Sequence, residues 1–575
     1  MAMAMSRKPS HLVGLQPHPA NIDGVPILAT SPVPTYNGSR EARKQLPLSL
    51  ILLITSYLDN VGDIARVTRA SRLLYYLNLP RLYEHVTLRS YPNIRYFDGQ
   101  PEGLGAGSPF AMGLDGLVSR PVAGYVRTLT LVGHFKEHRE DEFEKGRIPD
   151  NTMMLNIVIR AAIDKMDKLE SFRWELSSNP MKTVYQGLSS RATLTSLIIN
   201  FPTCRIPRPT VIIPGIPSLK YLHLKGMDPL CYNDDPSLLL LEAKRLETLK
   251  LEWNPRMRRE REPSIQLSLL FGRCFAANYR LPIKHYAMKN LFARKEAMLD
   301  SIMNPATFQS LTAINCMDPH DPGTIFIDST WMMSSHMGKE FTNLKKIRID
   351  KLDEKRAEPL TEFENLEEIY LINRNPKASL PSSATASTNG ISAPASPDTP
   401  ITPINADVPK QLIAIGSEYL AAISSRHGKT LKKLLLSDRW SLSREVLMNL
   451  VRECPNLEQL GVAIDKDISP LEDLKEVCPN LKALRTLLRR DNPFFATIME
   501  IDIDTHCFGI GARTAGKEYD NFRWFGIGDL YFRLGDVRHF KDPKSGQIRP
   551  VRVVTPVSWD VIKDVEIWGE DTLDL

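Results

Sequence analysis

One spacing recurs along most of this 575-residue chain and constrains its fold more than any other feature. An apolar residue is followed by a second three positions on and by a third two positions later. The pattern runs through Val126-Leu129-Leu131, Leu169-Phe172-Trp174, Leu194-Leu197-Ile199, Leu219-Leu222-Leu224 and Leu246-Leu249-Leu251. It continues in Phe308-Leu311-Ala313, Leu344-Ile347-Ile349, Leu366-Ile369-Leu371, Leu431-Leu434-Leu436, Leu457-Leu460-Val462 and Leu481-Leu484-Thr486. Starts at 169, 194, 219 and 246 are separated by 25, 25 and 27 residues, and those at 431, 457 and 481 by 26 and 24. Two copies share the lead-in Cys-Pro-Asn-Leu, at Cys454 and at Cys478. The last two apolar residues of each copy alternate, so on a short strand both point inward. The first closes the turn before that strand. A return segment covers the outer side, as Glu445–Glu453 is placed to do before Cys454. One such unit cannot bury its apolar face alone, whereas stacked neighbours can.

Two gaps interrupt the period. Between 246 and 308 the amphipathic stretch Lys289–Ile302 is expected to form an enlarged return helix. Between 366 and 431 lies a Ser-, Thr-, Pro- and Ala-rich segment without an aromatic residue, 377–410, expected to be a disordered insertion. After Thr486 the repeat fades. The aromatic-rich stretch 491–575 is expected to form an irregular, strand-rich cap, because a solenoid needs an atypical end to hide its last apolar face.

Before the repeats the period is helical. Residues 1–43 are rich in Pro, Ser, Gly and Asn and read as a disordered leader. Leu46-Pro47 then opens a segment in which Leu50, Ile54 and Leu58 are spaced by four and share one helical face. Gly62 is expected to break that helix and the Asp63 carboxylate to cap the next, which carries Ile64, Val67, Ser71 and Leu74. Pro80 is expected to end that run before Leu82-Tyr83. Three or four short helices over so few residues have little core of their own and gain stability by docking on a partner.

Composition narrows the function classes. Lys and Arg total 73 against 67 Asp and Glu, a balance that does not call for a nucleic-acid partner. The 7 cysteines are odd in number, dispersed and never C-x-x-C, which points away from a disulfide framework or zinc and toward buried thiols in a reducing compartment. No run reaches the roughly 18 apolar residues of a membrane span, and the first twenty residues lack a signal-peptide core. A cytoplasmic or nuclear protein with no membrane contact, no cofactor and no metal is the expectation.

The segment from Leu46-Pro47 to Leu82-Tyr83 resembles the F-box. The likeness rests on Leu-Pro at its start, aliphatics at Leu50, Ile54 and Leu58, the pair Asp63-Ile64, then Val67 and Ser71. Where many members carry Trp after the Ser, this chain has Leu74-Tyr75-Tyr76, and Pro80-Arg81-Leu82-Tyr83-Glu84-His85-Val86 is similar to fungal members. The mid-twenties step resembles leucine-rich repeats. Together these imply an α/β repeat architecture: a leader at 1–43, an F-box of three to four helices at 44–90, a linker at 91–125, a leucine-rich-repeat horseshoe at 126–490 and the cap at 491–575. The resemblance implies a non-enzymatic substrate receptor of an SCF-type ubiquitin ligase. A Skp-type adaptor, and cullin through it, would be held by Leu46, Pro47, Leu50, Ile54 and Leu58, and an unknown protein substrate by the repeats. A scaffold using the F-box outside ubiquitination, or an enzyme housed in 500–560, are the competing readings.

Between the inward leucines, residues point away from the core. Arg173, Tyr221, His223, Lys250, Lys346, Arg348 and Tyr370 are the candidates for binding substrate, since Tyr and Arg are frequent anchors. Ordinary solvated strand residues are the bland alternative for each. Ser396-Pro397, Thr399-Pro400 and Thr402-Pro403 offer proline-directed phosphorylation sites, and 256–261 is a basic run better read as a solvated loop. His427-Gly428-Lys429-Thr430 lacks the earlier glycine of a P-loop, Ile423 standing in its place. The Gly-x-Gly pairs at 509–511 and 526–528 are expected to make turns, and Asp502, Asp504 and His506 would share a face on a strand.

Overall fold

The computed structural model describes residues 46–97, 99–103, 107–135, 150–202, 211–228, 235–256, 267–293, 301–316, 340–350, 357–373, 408–464, 474, 477–488, 494–541 and 547–575. The expected leader, 377–407 of the expected insertion with its Ser-Pro and Thr-Pro sites, and the basic run beyond Arg256 lie outside the described residues, whereas 408–410, expected to be disordered, open the helix Val408–His427. The chain divides into two compact units, Met1–Ile64 and Ala65–Leu575.

In the first unit α1 spans Leu48–Ser56, and α2, Val61–Ala70, begins. The break falls at 57–60, ahead of Gly62, which lies within the first turn of α2. Asn60 takes the capping role expected of Asp63: its Oδ1 accepts the Gly62 N–H at 2.7 Å. Asp63 sits in the first turn instead, where a carboxylate favours the positive end of the helix. In the second unit α3 spans Arg72–Tyr83, capped by Ser71 Oγ on the Leu74 N–H at 3.1 Å. Pro80 lies inside α3 rather than ending it; the helix keeps going for the three residues to Tyr83.

The strands of the second unit are β1 His85–Ser90, β2 Tyr96–Phe97, β3 Gln100–Pro101, β4 Thr128–Gly133, β5 Ser171–Leu176, β6 Ser196–Asn200 and β7 Tyr221–Met227. They continue as β8 Thr248–Trp253, β9 His285–Lys289, β10 Ser310–Ile314, β11 Lys346–Ile349, β12 Glu368–Leu371, β13 Lys433–Leu435 and β14 Ser441–Leu442. The last are β15 Gln459–Ile464, β16 Ala483–Leu487, β17 Trp524–Ile527, β18 Leu530–Lys541 and β19 Ile548–Pro556. Apart from the β2–β3 ribbon they form one open sheet. It is parallel from β1 through β4 and onward to β17, then antiparallel through β18 and β19. One strand per repeat in an open parallel sheet, with helices against its core side, is consistent with a leucine-rich-repeat solenoid.

The register follows the apolar spacing. Leu129 faces Phe172, Leu197, Leu222, Leu249 and Tyr286 in turn, and Leu131 faces Trp174, Ile199, Leu224, Leu251 and Met288. All of these are buried in one continuous core. β9 corrects the reading of the gap between 246 and 308. Ile283, Tyr286 and Met288 supply a further copy of the spacing, with Tyr and Met in place of leucine, and Lys289 closes that strand instead of opening a helix; 294–300 of the expected return helix lie outside the described residues. The sheet also takes in β1 at one end and β17 at the other, on either side of 126–490. Glu445–Glu453 does form a return helix, Arg444–Glu453, which buries Leu447, Leu450 and Val451.

Side chains clasp several repeats to the one before. The residue preceding the first apolar position donates back to a carbonyl: Thr193 to Leu169 and Ser218 to Leu194 at 2.7 Å, Thr430 to Leu366 at 2.9 Å, and Asn456 to Lys429 at 2.7 Å. Asn480 does the same to Pro455 at 3.3 Å, which accounts for the shared Cys-Pro-Asn-Leu lead-in. His427 is another clasp. It is fully buried; its Nε2 meets the Leu360 carbonyl at 2.8 Å and its Nδ1 accepts the Leu366 N–H at 3.3 Å.

The region after 491 is mixed rather than strand-rich, with helices Phe494–Glu500 and Ile503–Arg513 beside β17–β19. Asp504 and His506 stand on that second helix, not on a strand; Asp502 caps it through Oδ2 on the Asp504 N–H, and His506 Nε2 meets the Ile498 carbonyl at 2.9 Å. Gly509 and Gly511 are helical too, and a Cβ at 511 would lie 2.4 Å from the Arg552 carbonyl oxygen. Gly528, at φ +56°, does make the expected turn before β18.

Candidate functional site

Two surfaces carry the candidate residues. On α1 and its flanks, Leu46 and Pro47 before the helix and Leu50 and Ile54 on it are exposed, and Leu58 beyond its end is half-buried. The exposure is not confined to that stripe: Leu48, Leu52 and Leu53 are exposed as well, and Thr55 is the one buried residue of the helix. A helix apolar all round normally belongs in a core.

The second surface is the open face of the sheet, opposite the core. Strand register aligns Arg173 on β5, Ile198 on β6, His223 on β7, Lys250 on β8, Ala287 on β9, Thr312 on β10, Arg348 on β11 and Tyr370 on β12 in one row. The row continues through Leu435, Gly461, Arg485 and Gly526. Two residues earlier on their strands, Tyr221 and Lys346 belong to a flanking row.

The segment 559–575 lies across the later half of this face. Its two short helices, Trp559–Ile562 and Glu566–Gly569, bury Ile562, Ile567 and Trp568 against Tyr370, Leu435, Ala463, Ala483 and Leu487 in a second core. Trp568 stands edge-on to Tyr531, ring centroids 6.4 Å apart. It fits because position 526 is glycine: a Cβ there would sit 2.7 Å from Trp568 Cζ2.

Around this wedge, carboxylates and carbonyls answer the sheet's cations. Arg348 is almost fully buried and donates from Nε to the Glu570 carbonyl at 2.8 Å and from Nη1 to the Asp574 carbonyl at 2.9 Å; its Nη2 reaches Thr572. Lys346 pairs with Glu570. Lys433 bridges Glu368 at 2.9 Å and Glu566 at 2.7 Å, and Gln459 donates to the same Glu566 at 2.6 Å. Arg485 holds Asp571 at 2.7 Å and the Ile567 carbonyl at 2.9 Å. Tyr370 is sealed, its hydroxyl donating to Glu368 at 2.9 Å; burial first, then Glu368, pushes that hydroxyl's pKa up.

The earlier half is different. Arg173 and Lys250 make no ion pair among the described residues, and Arg173 is exposed. Lys250 lies 5.6 Å from the Tyr221 ring centre. Burial, more than any neighbouring charge, lowers its pKa. His223 is 5% exposed and its Nε2 has no hydrogen-bond partner. Burial, then the charges of Lys225, Lys250, Arg173 and Lys289, push its pKa down to about 3, so it is neutral at pH 7.

The chain matches no family model and no curated protein. Its likeness is to solved structures alone. It is similar to TLR13 in the TLR13–ssRNA13 complex, at 13% identity and a TM-score of 0.30 over 72% of this chain and 44% of that one. It is also similar to Toll in the Toll–Spatzle complex of Drosophila, at 8% identity and a TM-score of 0.24 over 70% and 47%. The chain thus spans less than half the length of either. Those scores are too low to carry an argument, and the repeat architecture rests on the register above.

Of the seven candidates between the inward apolar residues, the structure separates Lys346, Arg348 and Tyr370, covered by the chain itself, from Arg173, Tyr221, His223 and Lys250. Sequence reasoning passed over Lys433, Gln459 and Arg485. Arg485 had a signal, since it stands between Leu484 and Thr486 just as Arg173 stands between Phe172 and Trp174. Near the cap, Leu474, Cys478, Leu481, Leu484, Glu518, Tyr519 and Phe522 line a cavity of about 20 Å³, room for about one water. No helix among the described residues is long and apolar enough to cross a membrane.

Proposed function

We propose that this chain is the substrate-recognition subunit of an SCF-type ubiquitin ligase, docking a Skp-type adaptor, and cullin through it, by Leu46, Pro47, Leu50, Ile54 and Leu58. The observation that carries the reading is α1, whose leucines and isoleucine stand in solvent on a helix too apolar to be designed for it. Each such side chain is worth roughly 1.5–3 kcal/mol when buried, so a few suffice for an interface. The F-box resemblance gives that partner its chemistry, and a stacked-repeat sheet provides an extended face for a protein substrate.

Affinity purification of the full chain from its own cells tests this. The expectation is that adaptor and cullin co-purify, and that Leu46→Ala with Pro47→Ala abolishes both while the protein melts normally. Adaptor retained by that double variant refutes the assignment. Adaptor without cullin would favour the competing scaffold role, in which the F-box serves a complex outside ubiquitination.

A further inference from the structure

We infer that the uncovered half of the sheet's open face, at Arg173 and Lys250, binds an Asp/Glu-rich segment of a partner protein, laid across the strands in continuation of the chain's own acidic segment Glu566–Asp574. This rests on the reading of the open face as the substrate surface and names the class of substrate it takes.

The chain supplies the template. Over β11–β16 the sheet's cations are met by an acidic segment of the same polypeptide: Glu570 on Lys346 and Arg348, Glu566 on Lys433, Asp571 on Arg485. That segment travels against the strand order. Trp568 lies at β17, Thr572 reaches β11, and the Asp574 carboxylate stands 3.7 Å from Lys289 on β9. The next cations along the face are Lys250 on β8 and Arg173 on β5; neither makes an ion pair among the described residues, and Glu570 acts on Lys250 only from beyond pairing distance. Lys225 and Lys289 flank them but already hold Glu175 at 2.7 Å and Glu252 at 3.0 Å. The cations left without an ion pair are therefore Arg173 and Lys250.

His223 stands between the two cations in the row. Its Nε2 is sealed from solvent as well as unpartnered, so a ligand lies over the flanking cations rather than on the ring. Neighbouring strands are about 4.8 Å apart, so β5 and β8 lie about 14 Å apart across the sheet. An extended peptide advances about 3.3 Å per residue, so carboxylates roughly four residues apart reach both cations. Two cations without an ion pair suit a peptide better than a nucleic acid, which typically engages about six or more cations. Tyr221 beside Lys250 offers an apolar wall to the peptide's stem.

The test uses the purified full chain and fluorescein-labelled peptides read by anisotropy. The probes are an alternating Glu–Gly peptide, its Gln–Gly counterpart, a phosphoserine–Gly peptide and a single-stranded RNA of similar length. The Glu–Gly peptide is expected to bind, to weaken with added salt, and to bind about tenfold more weakly to Arg173→Gln with Lys250→Gln. Lys168→Gln with Lys182→Gln removes two exposed cations elsewhere and is expected to change affinity by less than about twofold. Equal losses in the two double variants, no preference for Glu over Gln, or tighter binding of the phosphoserine peptide or the RNA each overturn the inference. Adaptor capture by the same preparations separates the two readings. Peptide bound without adaptor leaves this inference standing and removes the ligase assignment. Adaptor captured without peptide does the reverse.

Discussion

Replacing Asp571 by Ala should loosen the wedge that covers the later half of the sheet. The Asp571 and Arg485 side chains are 5% and 10% exposed and meet at 2.7 Å, and the other carboxylate oxygen accepts the Asn373 N–H at 2.9 Å. Removing one partner of a buried pair costs about 3–5 kcal/mol, mainly because the other charge stays buried. Arg485 retains the Ile567 carbonyl at 2.9 Å, which places the expected cost near the lower end, about 3 kcal/mol. Asp571→Leu with Arg485→Met removes both charges and should cost about 1 kcal/mol or less, since apolar replacement of a buried pair is often neutral. Hydrogen exchange of the amides in 562–571 reads the local opening directly, and a drop in protection of about a hundredfold corresponds to the single-variant cost. Equal loss of protection in the single and double variants would refute the reasoning, because it would make the carboxylate's volume or its lost bond to the Asn373 N–H, rather than the orphaned Arg485, the source of the effect.

Three further outcomes follow from the same geometry. The depressed His223 pKa stabilises the fold fully above pH 6.5 and is lost as pH falls toward about 3, so moving from pH 7 to pH 5 should cost about 2 kcal/mol through this group; His223→Gln should flatten that dependence, and an imidazole resonance titrating near 6.5 would contradict it. Gly526→Ala forces a methyl against Trp568 and should destabilise by about 1–3 kcal/mol, read as loss of exchange protection at Ile567 and Trp568 with the repeats still protected. Burial pushes the Cys454 and Cys478 thiols up to about 12, so both should resist a thiol reagent in the native protein at pH 8 while the less buried Cys507 reacts.

The core was legible because its signal is local. Leu129 and Leu131, or Leu460 and Val462, alternate within one strand, and a fixed step carries the same pair into the next repeat. β9 escaped because Tyr286 and Met288 fill leucine sites: the position needs bulk without buried charge, which a search for leucine does not see. The helix breaks in 57–62 were misplaced by a few residues because Gly62 was weighed as a breaker, whereas Asn60 two residues earlier supplies the cap. Alternation also placed Arg173, His223, Lys250 and Arg348 correctly on the open face. It could not say which of them is covered, since the cover comes from Glu570 and Thr572, more than two hundred residues away in sequence.

The boundary between the covered and uncovered halves follows from the composition of the row itself. At its beginning the row reads Thr87, Thr130 and Arg173, side chains that water can serve. Toward its end it reads Tyr370, Leu435 and Gly461, with Ala463 and Leu487 beside them, a face that would cost apolar area if left bare. Ile562, Ile567 and Trp568 supply the missing surface, and the acidic residues among and after them neutralise the cations on either side. The segment is thus needed where the face is most apolar, and its apolar residues stop before the stretch of the row in which Ile198 and Ala287 alternate with charged and polar residues. Beyond that point Lys225 and Lys289 hold carboxylates of the chain, whereas Arg173 and Lys250 pair with none among the described residues, and these two are the cations we infer a partner extending the same acidic line would use.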